Sequence, residues 1–158
     1  MLNGYEPNGV RREPRTNIVS MYTDQIPPND LSRGLAAEHG FKIFPTVREA
    51  LTLGGDALAV DGVLFVGEHG DYPTNDVGQK LYPRIELVHQ ILEVFRRSKR
   101  VVPVFSDKHL SYSWEKAHTM YEESSKMHFP LMAGSSMPLT VREPALELPL
   151  DAPLERAI

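Results

Sequence analysis

Val60-Asp61-Gly62-Val63-Leu64-Phe65-Val66, running straight into Gly67-Glu68-His69-Gly70-Asp71-Tyr72-Pro73, decides how this chain is read. A short apolar run rich in β-branched and aromatic residues, bounded by turn formers, predicts a buried strand. The same grammar recurs downstream, where Val101 to Phe105 leads into Ser106-Asp107-Lys108-His109-Leu110-Ser111. Open α/β sheets bind ligands in the crevice beyond the carboxyl ends of their strands. Two clusters of carboxylate, imidazole and ammonium groups therefore belong on one rim, and the functional site is expected there.

Working outward, strands and helices alternate. Asn17 to Thr23 reads as a strand ending at Asp24. Pro27-Pro28-Asn29-Asp30 supplies a turn and a helix cap, and a helix over Leu31 to His39 stops at Gly40. Phe41 to Phe44 is a brief strand. Thr46-Val47-Arg48-Glu49 fits a capping box for a helix ending at Gly54-Gly55. Leu81, Ile85, Val88, Leu92 and Phe95 recur at helical spacing, with Arg96, Arg97, Lys99 and Arg100 in or just past the last turn, where cations suit the helix dipole. Ser113 caps a helix to about Met127, and Phe129 to Ala133 is the last strand. This order predicts an α/β fold, Rossmann-like, with a mostly parallel sheet and helices on both faces.

The bulk composition narrows the class. With 158 residues the chain is long enough for one domain burying roughly 70% of its unfolded surface. Its 41% hydrophobic and 24% charged content is globular, and a net charge of −4 gives no reason to expect nucleic acid or an anionic membrane as partner. The absence of cysteine excludes disulfides, thiolate metal sites and a thiol nucleophile. No apolar run approaches the ~20 residues of a membrane helix, and no signal-peptide core is present, so a cytoplasmic protein is expected. Residues 1–16 form an irregular N-terminal segment, 17–142 the α/β domain, and 143–158 a Pro-rich tail.

The run Arg100-Val-Val-Pro-Val-Phe-Ser-Asp-Lys-His-Leu-Ser111, with Ala117 in the next helix, resembles the nucleotide-binding domain of the glucose–fructose oxidoreductase and inositol dehydrogenase family. That family carries Glu-Lys-Pro-Leu after its fifth strand, before a helix with a buried alanine. Asp107-Lys108-His109-Leu110 stands in that place, so Lys108 falls on the family's lysine and His109 on its proline, which often adopts a cis bond. Leu131-Met-Ala-Gly-Ser-Ser136 resembles the family's sixth strand and turn. The Gly-Glu-His-Gly-Asp-Tyr-Pro signature is similar to an uncharacterised branch from environmental bacteria. The resemblance implies NAD or NADP as cofactor, a polyol or sugar substrate, and Lys108 in proton transfer. It also implies Asp24 at the adenosine ribose, with Gly67 and Asp107 lining the cofactor site.

Two parts of the family's fold have no counterpart. There is no G-x-G-x-x-G turn, and the first strand here corresponds to the family's second, so an order of 3-2-1-4-5-6 would lack its central strand. The family's C-terminal α+β domain is also missing. A homo-oligomer or a separate segment is expected to complete the sheet.

Several residues keep alternatives open. Lys108 serves proton transfer if burial lowers its pKa, or is a solvated loop lysine. Glu68, His69 and Asp71 suit a divalent ion chemically, but their spacing is no established metal motif, so substrate binding or loop ordering competes. His109 is a second proton carrier or a helix-turn cap. Ser135 and Ser136 read as a turn, Trp114 and Tyr121 as packing residues, and His39, His89, His118 and His128 as surface groups. Besides the oxidoreductase, a small hydrolase or lyase of the lactone or ester class, with or without a divalent metal, using the Glu68, His69, Asp71, Lys108 and His109 rim, and a non-catalytic fragment or partner-binding domain, are consistent with these residues.

Overall fold

The computed structural model describes residues 10 and 12–135. They form β1 (Ser20–Tyr22), α1 (Ser32–His39), β2 (Lys42–Phe44), α2 (Val47–Thr52), β3 (Val63–Phe65), α3 (Arg84–Ser98), β4 (Val104–Asp107), α4 (Trp114–Met127) and β5 (Leu131–Gly134). The α/β alternation expected from the sequence is present, and every strand pairing is parallel. The strands divide into two sheets, β1-β2 and β3-β4-β5. Ser136, the 143–158 tail and most of the 1–16 segment lie outside the described residues.

The strands differ in extent from the sequence reading for a backbone reason. Pro103 and Pro130 have no N–H to give a ladder. Each offers only its carbonyl, Pro103 to the Val63 amide and Pro130 to the Val104 amide, both at 2.9 Å. Ladder pairing then begins at Val104 and Leu131 rather than at Val101 and Phe129. Likewise β3 starts at Val63, where it meets Val104, and not at Val60.

Helix ends follow local chemistry. The Thr46 hydroxyl accepts the Glu49 amide at 3.1 Å, satisfying one orphan donor of α2. Glu49 returns through its carboxylate to that same hydroxyl instead of to the Thr46 N–H. Ser113 caps α4 by accepting the Lys116 amide. Asp30 is not the N-cap of α1; Leu31 holds that position without a side-chain cap, and Asp30 accepts from the Ser32 hydroxyl and the Arg33 guanidinium. The third helix begins at Arg84, not Leu81, because residues 73–81 close a separate turn with the Leu81 amide on the Pro73 carbonyl.

The core sits against α3. Ile85, Val88, Ile91, Leu92 and Phe95 all point inward, as their spacing predicts. Phe95 meets Phe129 edge to face at 5.5 Å, and Val104 and Met120 complete the layer. Trp114 and Tyr121 take no part in it. They are 75% and 61% exposed, and Trp114 stacks on His118 at 5.5 Å. Their i, i+7 spacing describes a helix face equally well whether it meets the core or solvent.

Candidate functional site

The loops after β3 and β4 leave their strands at the same end of the sheet, because the two strands are parallel and in register. That brings Glu68 and Lys108 together: the Lys108 ammonium donates to Glu68 Oε2 at 2.8 Å. Glu68 is largely covered, while Lys108 stays half open to solvent. The contact holds the Glu68 carboxyl below its ordinary range and raises the Lys108 ammonium above its own. Lys108 therefore carries no burial-lowered pKa; it is a charged donor, because its carboxylate partner outweighs the little desolvation it suffers.

Under this pair lies Arg84, the first residue of α3 and wholly buried. Its guanidinium donates to the Asp107 carbonyl at 2.9 Å and to the Lys108 carbonyl at 2.6 Å. The backbone on both sides of the Lys108 Cα is thus clamped from inside the protein. Desolvation lowers the Arg84 pKa, opposed by the charges of Glu68 and Asp107. Gly67 makes room for the clamp, since a Cβ there would lie 2.7 Å from the Phe65 ring and 3.2 Å from Arg84 Cγ. The Lys108–His109 peptide is cis, with histidine where the resembled family has proline.

A second cluster ties the first half of the chain to this rim. Both oxygens of Asp24 are used, accepting the Tyr22 and Tyr72 hydroxyls at 2.7 Å each. Burial first, and then the Asp24 carboxylate, push the Tyr22 phenol up to about 12 and raise that of Tyr72 as well. Gln25 clasps the backbone of Asp71, taking its amide at 2.7 Å and giving to its carbonyl at 3.2 Å. Gly70 stands at φ +127°, and a Cβ there would fall 2.5 Å from the Tyr72 ring. An aromatic row links the clusters: Tyr72 meets Tyr82 at 5.8 Å, and Tyr82 meets His109 at 6.4 Å.

The residues singled out in the sequence thus separate. Glu68 and Lys108 meet, Asp107 contributes its backbone, and His109 stands exposed beside Tyr82. Asp71 acts through its main chain, with its side chain exposed, and His69 is exposed at φ 64°. Among the described residues no three His, Asp or Glu side chains gather as a metal centre would require. Ala117 is half-buried in α4. Arg84, Tyr72 and Gln25 were missed; the only sequence signal for Arg84 is its place behind Pro83 at the start of an amphipathic helix.

Beside Asp24, an open hollow of about 470 Å³ lies beyond the ends of β1 and β2, lined by Thr23, Ile26, Ser32, Arg33, Ile43, Phe44 and Pro45. Its walls are mainly apolar, with one cation, and the Thr23 hydroxyl is buried there with no hydrogen-bond partner among the described residues.

No protein-family model, curated protein or solved structure matches this chain. No helix among the described residues is long and apolar enough to cross a membrane.

Proposed function

We propose that this domain is the nucleotide-side half of an oxidoreductase, moving a hydride between NAD or NADP and a hydroxylated small molecule of the polyol or sugar class. The observation that carries the reading is the Glu68–Lys108 pair, held on adjoining strand-end loops at the rim where open α/β sheets bind ligands. The neighbouring hollow fits the adenosine end of such a cofactor: its volume lies within the range of small-molecule sites, its walls suit a base, and the Thr23 hydroxyl offers an unused polar atom. For Asp24 to take a ribose hydroxyl, it exchanges one of its two phenol bonds. The chain lacks the glycine-rich turn for the pyrophosphate, so only the adenosine and substrate ends find partners here.

A bound nicotinamide would supply or accept the hydride. Lys108 supplies the proton. In the reducing direction hydride reaches the carbonyl carbon, the C=O π pair moves onto oxygen, and the Lys108 ammonium gives that oxygen a proton, leaving a neutral amine. Glu68 orients the ammonium, and Arg84 fixes the backbone that carries it.

Calorimetry of the 158-residue chain with NADH and NADPH tests the reading. Micromolar binding is expected, weakened in Thr23→Val and unchanged in Lys108→Met, while Lys108→Met abolishes carbonyl reduction. Heat from neither nucleotide, in protein shown to be folded, overturns it. Reduction is expected to slow as pH rises through the raised Lys108 pKa, because only the ammonium can donate.

A further inference from the structure

The outer side of α4 carries a line of aromatic rings that the core does not use. Trp114, His118 and Tyr121 stand at i, i+4 and i+7, so they share one stripe of the helix. The buried residues of α4, Met120 and Ser124, lie on another side. All three rings are exposed, Trp114 most of all, whereas Tyr22, Tyr72, Tyr82 and Tyr112 are partly covered. An indole and a phenol left in water forgo a large apolar burial. The helix begins directly after the loop that carries Lys108, so Trp114 stands at the rim and the stripe runs away from it.

The indole is also held in place. Its ring lies against the His118 imidazole, with 5.5 Å between centroids and 27° between planes. His118 Nδ1 is 3.8 Å from Glu122 Oε1, and the Lys126 ammonium donates to Glu122 Oε2 at 3.4 Å. One line of i, i+4 contacts thus braces Trp114, which reduces the ordering a ligand has to impose. The charge along the stripe is acidic or already paired. Glu115 and Glu122 flank the rings, and both lysines of α4 are engaged, Lys116 by Glu86 and Lys126 by Glu122 and Glu123. A phosphate-bearing ligand meets no free cation on this helix, and a partner helix meets no Leu, Ile or Val. What fits is a neutral molecule with flat C–H faces for the rings and hydroxyls for the carboxylates.

We propose that the Trp114–His118–Tyr121 stripe binds a β-1,4-linked chain of hexoses in the equatorial, glucose-like configuration. Seven residues of helix set Trp114 and Tyr121 about 10 Å apart along the axis, close to the two-sugar repeat of such a chain. Alternate sugars of that chain turn the same face to one side. The first and third of three successive rings therefore lie on Trp114 and Tyr121. Their axial C–H groups meet the electron-rich aromatic faces. Their equatorial hydroxyls project sideways, where the Glu115 and Glu122 carboxylates accept them. An α-1,4-linked chain coils and cannot lie on both rings. The inference is independent of the catalytic reading.

Trp114 is the only tryptophan of the chain, so tryptophan emission reads the stripe without a label. Titrating the full 158-residue chain with cellohexaose should shift that emission to the blue, saturably, with a Kd of about 1 mM or below. The Trp114 indole N–H resonance should move along the same curve. Cellobiose, too short for both rings, and maltohexaose, which coils, should each bind about tenfold more weakly or worse. Tyr121→Ala, at an exposed site, keeps the fluorophore. It should weaken cellohexaose binding about tenfold and leave the thermal midpoint unchanged. An unmoved indole resonance with cellohexaose near its solubility limit overturns the proposal. So does equal affinity for cellobiose or in the Tyr121→Ala chain, because one ring would then account for the binding. Emission that is already blue in the free chain and reddens on dilution also overturns it, for then a second copy covers the stripe.

Discussion

Arg84 is the residue on which the rim depends. Its guanidinium is buried with no carboxylate among the described residues in hydrogen-bond contact, and two backbone carbonyls take its protons. Arg84→Met would keep the aliphatic contact with Phe65 but strand both carbonyls inside the protein. A loss of about 3 kcal/mol is expected in urea unfolding. Arg84→Lys should recover part of it, because one ammonium cannot span both acceptors. Little loss in the Met variant would mean that water replaces the clamp. The Glu68–Lys108 pair gives a separate signature. The folded-state pKa of Glu68 is lowered, so its contribution exists above the unfolded carboxyl range and disappears as pH falls through the folded value. Lys108 is raised, so its share persists below its unfolded pKa and is lost as pH climbs through the folded one. Wild type and Glu68→Gln should differ in thermal midpoint near neutrality and converge in acid. A constant gap across pH would show that the pair contributes nothing through charge. None of the Arg84 chemistry was legible in the sequence, since an arginine at a helix start reads as solvated. Lys108 was legible by place, but its raised pKa depends on Glu68, forty positions away.

At the scale of elements, most local signals were realised, although the Asp30 cap was not, because Leu31 takes the N-cap of α1 and Asp30 instead accepts from Ser32 and Arg33. The Thr46 and Ser113 caps and the Gly40 stop need only neighbouring residues, and each is realised. Thr46→Ala should cost about 1 kcal/mol in denaturant unfolding. Glu49→Gln should cost less, because the carboxylate meets the hydroxyl rather than a backbone donor. Equal losses would show that the Glu49 charge, not the Thr46 acceptor, holds the α2 start. Strand extents were less legible because they depend on a partner: Pro103 and Pro130 set where ladders begin, and the effect reaches Val63 on another strand. The division into two sheets accords with the expectation that an order of 3-2-1-4-5-6 would lack its central strand. The ties that bridge it, Gln25 to Asp71 and Asp24 to Tyr72, are long-range side-chain contacts with no local pattern.

The molecule as a whole is unevenly held. Its core cluster is built from α2, α3, β3, β4 and Phe129, with Met120 from α4, and only Tyr22 of β1 packs against it from the first sheet. The β1–α1–β2 unit reaches the rest through α2 and through polar ties at the rim. Ser20 donates to the Ala50 carbonyl at 2.7 Å, Asp24 receives Tyr72, and Gln25 clasps Asp71. Exposed hydrogen bonds supply little net stability, and a unit with few buried apolar contacts opens at lower free energy than the core. Native-state hydrogen exchange should therefore show residues 20–44 opening as a group below the global unfolding energy. Amides around Leu92 and Phe95, 0% and 1% exposed, should exchange only by complete unfolding. Gln25→Ala should lower the opening energy of residues 20–44 while leaving the Leu92 and Phe95 amides where they were. If all these amides respond together, the two sheets unfold as one unit, and the α2 packing couples them more strongly than the rim ties do.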